Sequence, residues 1–303
     1  GRNPAATRAA RARVLARAVE AGILTPAEAR RASAEPLPAT RRSFPRYAPH
    51  LADAEIAQAP ATRVHRLTID QPLQSALEAL AKSQAEALGA KLSVAILAAD
   101  HKTGEILAHV GSPDYLDAER QGAIDMARAI RSPGSTLKPV IYGLGFEAGL
   151  AHPETLIEDR PARFGLYVPK NFDHDFRGTV TIRHALAQSL NIPAVRVLAA
   201  VGPERLMGRF RDIGLAPQLP AGAEASLAVA LGGVGLTLED LAGLYASLAN
   251  GGAATPLGVR RGEAASRVQP GAAPSTAKPQ LLSPLAAWYV ADILKDAPPP
   301  VSA

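Results

Sequence analysis

The chain has 303 residues, enough for one large domain or two smaller ones with a substantial apolar core. It contains no cysteine, which excludes disulfides, cysteine-ligated metals and a cysteine nucleophile together. A formal charge of +5 and a pI near 9.6 permit contact with an acidic polymer or a membrane surface, but 28 Asp+Glu stand against 33 Lys+Arg, and a solvated surface accounts for that balance as well.

In chain order, residues 5–37 read as a helical hairpin: R-A-R-V-L-A-R-A-V-E has helical apolar spacing, Gly22 serves as a C-cap and Thr25-Pro26 opens the second helix. Its Arg8, Arg11, Arg13 and Arg17 could grip phosphate as a basic nucleic-acid or membrane-surface binder, or simply solvate a helix face. The chain begins at Gly1 without Met, shows no signal peptide and has no apolar run able to span a bilayer. This suggests a piece of a longer protein from which an N-terminal anchor has been lost. Residues 36–60 read as an extended, proline-rich linker.

Residues 63–69 alternate as a strand, and 71–88 form an amphipathic helix with Leu73, Leu77, Leu80, Ala81 and Leu88 on its buried side. Residues 91–99 are an apolar strand and 106–110 its hairpin partner. Beyond them the chain is mainly helical, with helices at 181–188, 194–201, 203–213, 238–249 and 284–294 joined by Gly/Pro loops. His101, His109, His152, His174 and His184 lack zinc-ligand spacing, so no metal and no cofactor are expected.

The stretch R-S-P-G-S-T-L-K-P at 131–139 carries the chemistry. Ser135 and Lys138 lie three residues apart where a Pro-Gly turn opens a helix, so they share a face and the amine can reach the hydroxyl proton. That is the arrangement of an activated serine nucleophile. Leu137, Val140, Ile141, Leu144 and Leu150 suit a buried stripe, and Pro139 falls at about the end of the first turn. A second S-x-x-K, Ser275 to Lys278, sits in a Pro/Gly-rich loop without apolar period. The only S-x-N, Ser189-Leu190-Asn191, falls at a break between two helices, with Pro193 forcing the turn. It could relay a proton to a leaving amine and hold a scissile amide, or merely cap a helix.

Taken together, these residues resemble the penicillin-binding transpeptidases, whose S-x-x-K, S-D-N and K-T-G boxes are an established signature. Residues 131–142, Asn171-Phe172-Asp173 with Phe176-Arg177-Gly178, 189–195, and Leu231-Gly232-Gly233-Val234-Gly235 ahead of 248–252 follow that family in order, most like its bifunctional class A members. Leu190 replaces the acid of S-D-N. The only K-T-G, Lys102-Thr103-Gly104, precedes Ser135 on a hairpin and is rejected as the third box; the resemblance places that box just beyond Ala303, after Trp288 and Pro298-Pro299-Pro300.

The resemblance implies an α+β fold of the penicillin-binding protein/serine β-lactamase type: a helical subdomain with an antiparallel sheet, left incomplete by the early end of the chain. It implies a helical tail of a glycosyltransferase domain and a linker over 1–45, and the transpeptidase domain over 46–303. In that family Ser135 would attack D-Ala-D-Ala stem peptides of peptidoglycan, Lys138 would take its proton, Ser189 would relay a proton to the leaving nitrogen, and Asn191 would steady Lys138 and the substrate amide. Ser135 and Asn191 would contact substrate. Implied partners are stem peptides and lipid-linked precursor strands, with β-lactams as inhibitors and no nucleic acid, on the periplasmic face of the cell membrane. Without the third box, the 303 residues alone are expected to be inactive or nearly so. A non-catalytic β-lactam-sensing or peptide-binding module of the same fold is the rival.

Overall fold

A computed structural model describes residues 3–37, 46–261 and 279–299. The chain divides into two compact units, 1–46 and 47–303. In the first, α1 (Pro4–Glu20) and α2 (Pro26–Ala34) form a hairpin. Ala21 is the C-cap of α1, and Gly22 follows it at φ +67°, the position past the helix end where glycine is favoured. Thr25 and Glu28 close a reciprocal capping box on α2. Arg11 donates to the Ser33 carbonyl at 2.6 Å and the Glu35 carbonyl at 2.7 Å. One of the four arginines considered for phosphate binding thus ties down the end of α2.

In the second unit, α3 (Pro49–Gln58) replaces the middle of the expected linker. Its Leu51 is fully buried against Ile106, Leu257 and Val259, and its Glu55 pairs with Arg260 at 2.7 Å. Tertiary burial overrides the proline-rich composition there. The strand expected at 63–69 is reduced to a single bridge, Leu67 to Arg260, with the Thr68 amide on the Val259 carbonyl.

Next, α4 (Gln71–Leu88) has the expected extent but not the expected face. Gln74, Ala81 and Ala85 are buried, whereas Leu80 and Leu88 are exposed. The face is set by the antiparallel hairpin β1 (Ile96–Ala99) and β2 (Ile106–Val110). Gln74 Oε1 accepts from the His109 amide at 2.7 Å, and Gln74 Nε2 donates to the His109 carbonyl at 2.9 Å. A side-chain amide thereby takes the place of a neighbouring strand, and the helix turns to deliver it.

At the centre lies α5 (Lys138–Glu147), buried from Lys138 to Phe146 and packed against α7 (Asn191–Val201) and α10 (Pro284–Lys295). A helix apolar on every side belongs inside a core. Leu137, Val140, Ile141 and Leu144 are buried as expected, while Leu150, past the helix end, is 52% exposed. Around it stand α6 (Ile182–Ala187), α8 (Pro203–Asp212) and α9 (Leu238–Ala249). A second hairpin, β3 (Leu156–Asp159) with β4 (Gly178–Thr181), lies in the region read as helices and loops. At four residues each, its strands are too short to show a period. The architecture is α+β. Among the described residues no helix is long and apolar enough to cross a membrane.

Because Gln74 satisfies both backbone polar groups of buried His109, Gln74→Ala leaves a donor and an acceptor unpaired. It should lower the unfolding free energy by about 1–3 kcal/mol. Urea denaturation of the variant checks this; an unchanged midpoint would refute the edge-capping role.

Candidate active site

Lys138, the first residue of α5, is 1% exposed, an unusual setting for an ammonium. Its Nζ donates to the Ser189 carbonyl at 2.5 Å, to Asn191 Oδ1 at 2.6 Å and to Ser189 Oγ at 3.1 Å. Three acceptors match the three hydrogens of the charged form. Burial nevertheless pushes the amine down from 10.5 to about 8, so a useful fraction is neutral near physiological pH. A neutral amine keeps two hydrogens and a lone pair, and the Ser189 hydroxyl, at the longest of the three contacts, can then turn round and donate to it.

The turn that supplies these acceptors is locally strained. Ser189 has φ +53°, a left-handed conformation costing a residue with a Cβ about 1–2 kcal/mol. It is held by the end of α6: the Ser189 amide donates to Leu186 and the Leu190 amide to Ala185, both at 2.9 Å, while the Leu190 side chain is buried in the core. The left-handed serine, rather than Pro193, makes the turn; Pro193 lies inside the first turn of α7, where an amide donor is not needed. Asn191 Nδ2 donates to the Lys170 carbonyl at 2.7 Å, which leaves Oδ1 facing Lys138.

Ser135 is exposed in a 3-10 turn, Gly134–Leu137, that runs directly into α5. Among the described residues its hydroxyl makes no hydrogen bond, so the amine-to-hydroxyl contact suggested by the spacing is not formed. The Lys138 nitrogen is committed to Ser189 and Asn191 instead. The structure thus joins Lys138, Ser189 and Asn191 directly and leaves Ser135 one turn upstream, on the surface.

The serine turn is braced from the glycine-rich segment after a second 3-10 turn, Leu227–Leu231. Ser132 Oγ donates to the Gly232 carbonyl at 2.7 Å, and Arg131 pairs with Leu236 through two backbone bonds of 2.8 and 2.9 Å. Gly232 has φ +93°, and a Cβ there would lie 2.4 Å from Ser132 Oγ and 2.5 Å from the Gly134 nitrogen. Tyr245 of α9 adds a bond to the Thr136 carbonyl at 3.2 Å.

Lys102-Thr103-Gly104 forms the turn between β1 and β2, where Asp100 Oδ1 accepts from the Lys102 and Thr103 amides. That is a local structural role. Arg177 pairs with Asp173 at 2.5 Å. The second S-x-x-K lies outside the described residues. Among the described residues no group of three or more His, Asp or Glu could hold a metal ion. The sequence reasoning missed Asp159, which is 0% exposed. Its carboxylate accepts from Asn171 Nδ2 at 2.9 and 3.0 Å and from the Arg177 amide at 2.8 Å. The only sequence signal was an acid closing the short run L-I-E-D.

Gly232→Ala should push the Ser132–Ser135 turn aside. The expected result is a loss of about 1–3 kcal/mol in stability, from positive φ and overpacking together, with the largest amide NMR shifts at Gly134 and Ser135. Unmoved resonances at those two positions would show that the brace is not rigid.

Residues 94–297 match the family model described as the penicillin binding protein transpeptidase domain. The chain is 38% identical over 298 residues to penicillin-binding protein 1C of Escherichia coli, covering 98% of this chain and 37% of that protein. It is 32% identical over 219 residues to penicillin-binding protein 1A of Neisseria gonorrhoeae, covering 68% of this chain and 26% of that protein. The chain therefore spans well under half the length of these relatives. Among solved structures, a peptidoglycan glycosyltransferase from Burkholderia ambifaria shares the fold, with a TM-score of 0.59 at 23% identity over 76% of this chain and 73% of that one. With the family model covering two-thirds of its length, the chain belongs to the penicillin-binding protein transpeptidase family and has that family's α+β fold.

Proposed function

We propose that the chain is part of an enzyme that catalyses D,D-transpeptidation of peptidoglycan through a serine acyl-enzyme, and that it carries the nucleophile and the base. The observation that supports this best is the buried Lys138 amine, lowered to about 8 and held between Ser189 and Asn191 one turn from an exposed serine. Ser135 Oγ attacks the carbonyl of the penultimate D-Ala of a stem peptide, and Lys138 takes the hydroxyl proton. The carbonyl-to-nitrogen bond breaks, and the proton passes through Ser189 to the departing D-Ala amine. Asn191 holds the amine and the substrate amide. An amine of a second stem peptide then attacks the ester, forms the crosslinking amide and returns a proton to Ser135. A β-lactam follows the first half of this course, except that its leaving nitrogen stays tethered.

The same proposal assigns 1–45 to the helical tail of a glycosyltransferase domain and its linker, and 46–303 to the transpeptidase domain. It places the full-length protein on the periplasmic face of the cell membrane through an N-terminal anchor, with lipid-linked precursor strands as further partners. Residues 1–303 carry no K-T-G after Ser135 and are expected to label with β-lactams slowly at best.

The test is fluorescent penicillin labelling of the protein at the full length its gene encodes. A covalent band lost in Ser135→Ala supports the proposal; a band retained in that variant, or none in the parent protein, refutes it. Since the neutral amine is the competent form, the labelling rate should rise with pH and level off above about 8. Lys138→Arg, which cannot become neutral in this range, should reduce the rate by at least about 100-fold at every pH.

A further inference from the structure

We infer that Asp159 and Asn171 are positioning residues for this reaction: together they fix the Ser189–Asn191 turn, and through it the acceptors that hold the Lys138 amine. The inference rests on the transpeptidase proposal and assigns roles to two residues that do not touch the reacting atoms.

The geometry runs as a chain of alternating donors and acceptors. Asp159 is fully buried at the end of β3, and its carboxylate takes both bonds from Asn171 Nδ2. Facing a carboxylate, the Asn171 amide must present its NH2 group to Asp159, because the opposite orientation would set oxygen against oxygen. The same NH2 donates to the Asp175 carbonyl at 2.8 Å. Asn171 Oδ1 is therefore left for the Asn191 backbone amide, which it accepts at 2.9 Å. That amide opens α7 and is one of the free donors of a helix start; the N-cap, Leu190, has no side chain able to satisfy it. A residue twenty positions upstream thus caps α7 and fixes where the helix begins.

The neighbouring residue completes the arrangement. The Lys170 carbonyl accepts from Asn191 Nδ2 at 2.7 Å, so residues 170 and 171 grip Asn191 by both its side chain and its backbone. These contacts orient Asn191 Oδ1 toward Lys138 and help hold Ser189 at φ +53°. A buried carboxylate is costly unless its oxygens are satisfied, and Asp159 receives its donors from Asn171 and from the Arg177 amide in the 160–177 loop. The loop and the catalytic turn are consequently locked by one charge.

Asp159→Asn provides the test because it preserves shape while placing an NH2 group opposite another. One oxygen remains for the Arg177 N–H, so the new NH2 falls against Asn171 Nδ2 and displaces the Asn171 side chain from the Asn191 N–H. The acylation rate with fluorescent penicillin, measured on the gene's full-length product, should fall about 10- to 100-fold, with pre-covalent binding little changed and the melting temperature within a few degrees. As the loosened turn admits water to Lys138, the pH midpoint of acylation should move above about 8, toward that of an ordinary lysine. The double variant Asp159→Asn/Asn171→Asp restores the alternation toward Asn191, though not the bond to the Asp175 carbonyl, and should recover part of the loss, about tenfold.

A parent rate and midpoint in Asp159→Asn, or no recovery in the double variant, overturns the inference. If Asp159→Asn does not fold, Asn171→Ser, which removes the grip but keeps a small polar side chain, must show the same slowing and midpoint shift; a parent rate there overturns it equally. A parent protein that is never acylated overturns the transpeptidase proposal itself, and this assignment with it.

Discussion

A positive charge with almost no solvent access governs this structure. An ammonium withdrawn from water costs several kcal/mol unless oxygens replace its hydration, and the Lys138 nitrogen has three of them within 3.1 Å. Two belong to Ser189 and one to Asn191, so the break between α6 and α7 must sit over the start of α5. The left-handed serine, the buried Leu190 anchor and the external cap on α7 all follow from that requirement. The remaining imbalance between burial and acceptors is what lowers the amine to about 8.

The constraint also explains the apolar surroundings of α5. Rigid packing on every side of Lys138–Phe146 keeps the amine from reaching water by a small shift of its helix. By contrast, the serine turn is exposed and is placed by backbone contacts from the glycine-rich segment and by Tyr245. The Lys138 amine is thus fixed by the core, whereas Ser135 is fixed from the surface and faces solvent.

Much of this was legible in the sequence because it rests on local signals. The helices at 71–88 and 238–249 and the hairpin strand 106–110 have the expected bounds, set by capping residues and by turn chemistry. Ser189 and Asn191 stood out through a motif, and both contact Lys138. What could not be read depends on partners distant in the chain. The helix at Pro49–Gln58 forms because Leu51 meets the 257–259 segment, and α4 is rotated by one glutamine answering a strand edge. Asp159 shows only as an acid closing a short apolar run, since its donors come from residues 12 and 18 positions away. The motif argument also overstated one contact: equal spacing along a helix does not decide which of several oxygens an amine will choose.

The glutamine that faces β2 limits how this sheet can associate with other chains. With His109 engaged by Gln74, Leu107 by the Asp70 amide and Ile106 by Gly258, the outer side of β2 has no row of free groups on which a foreign segment could template itself. Among the described residues β1 has a partner on one side only. Growth of the sheet, whether by a further segment of the same polypeptide or by unwanted self-association, is therefore directional, and β1 is the margin to shield when the protein is handled at high concentration.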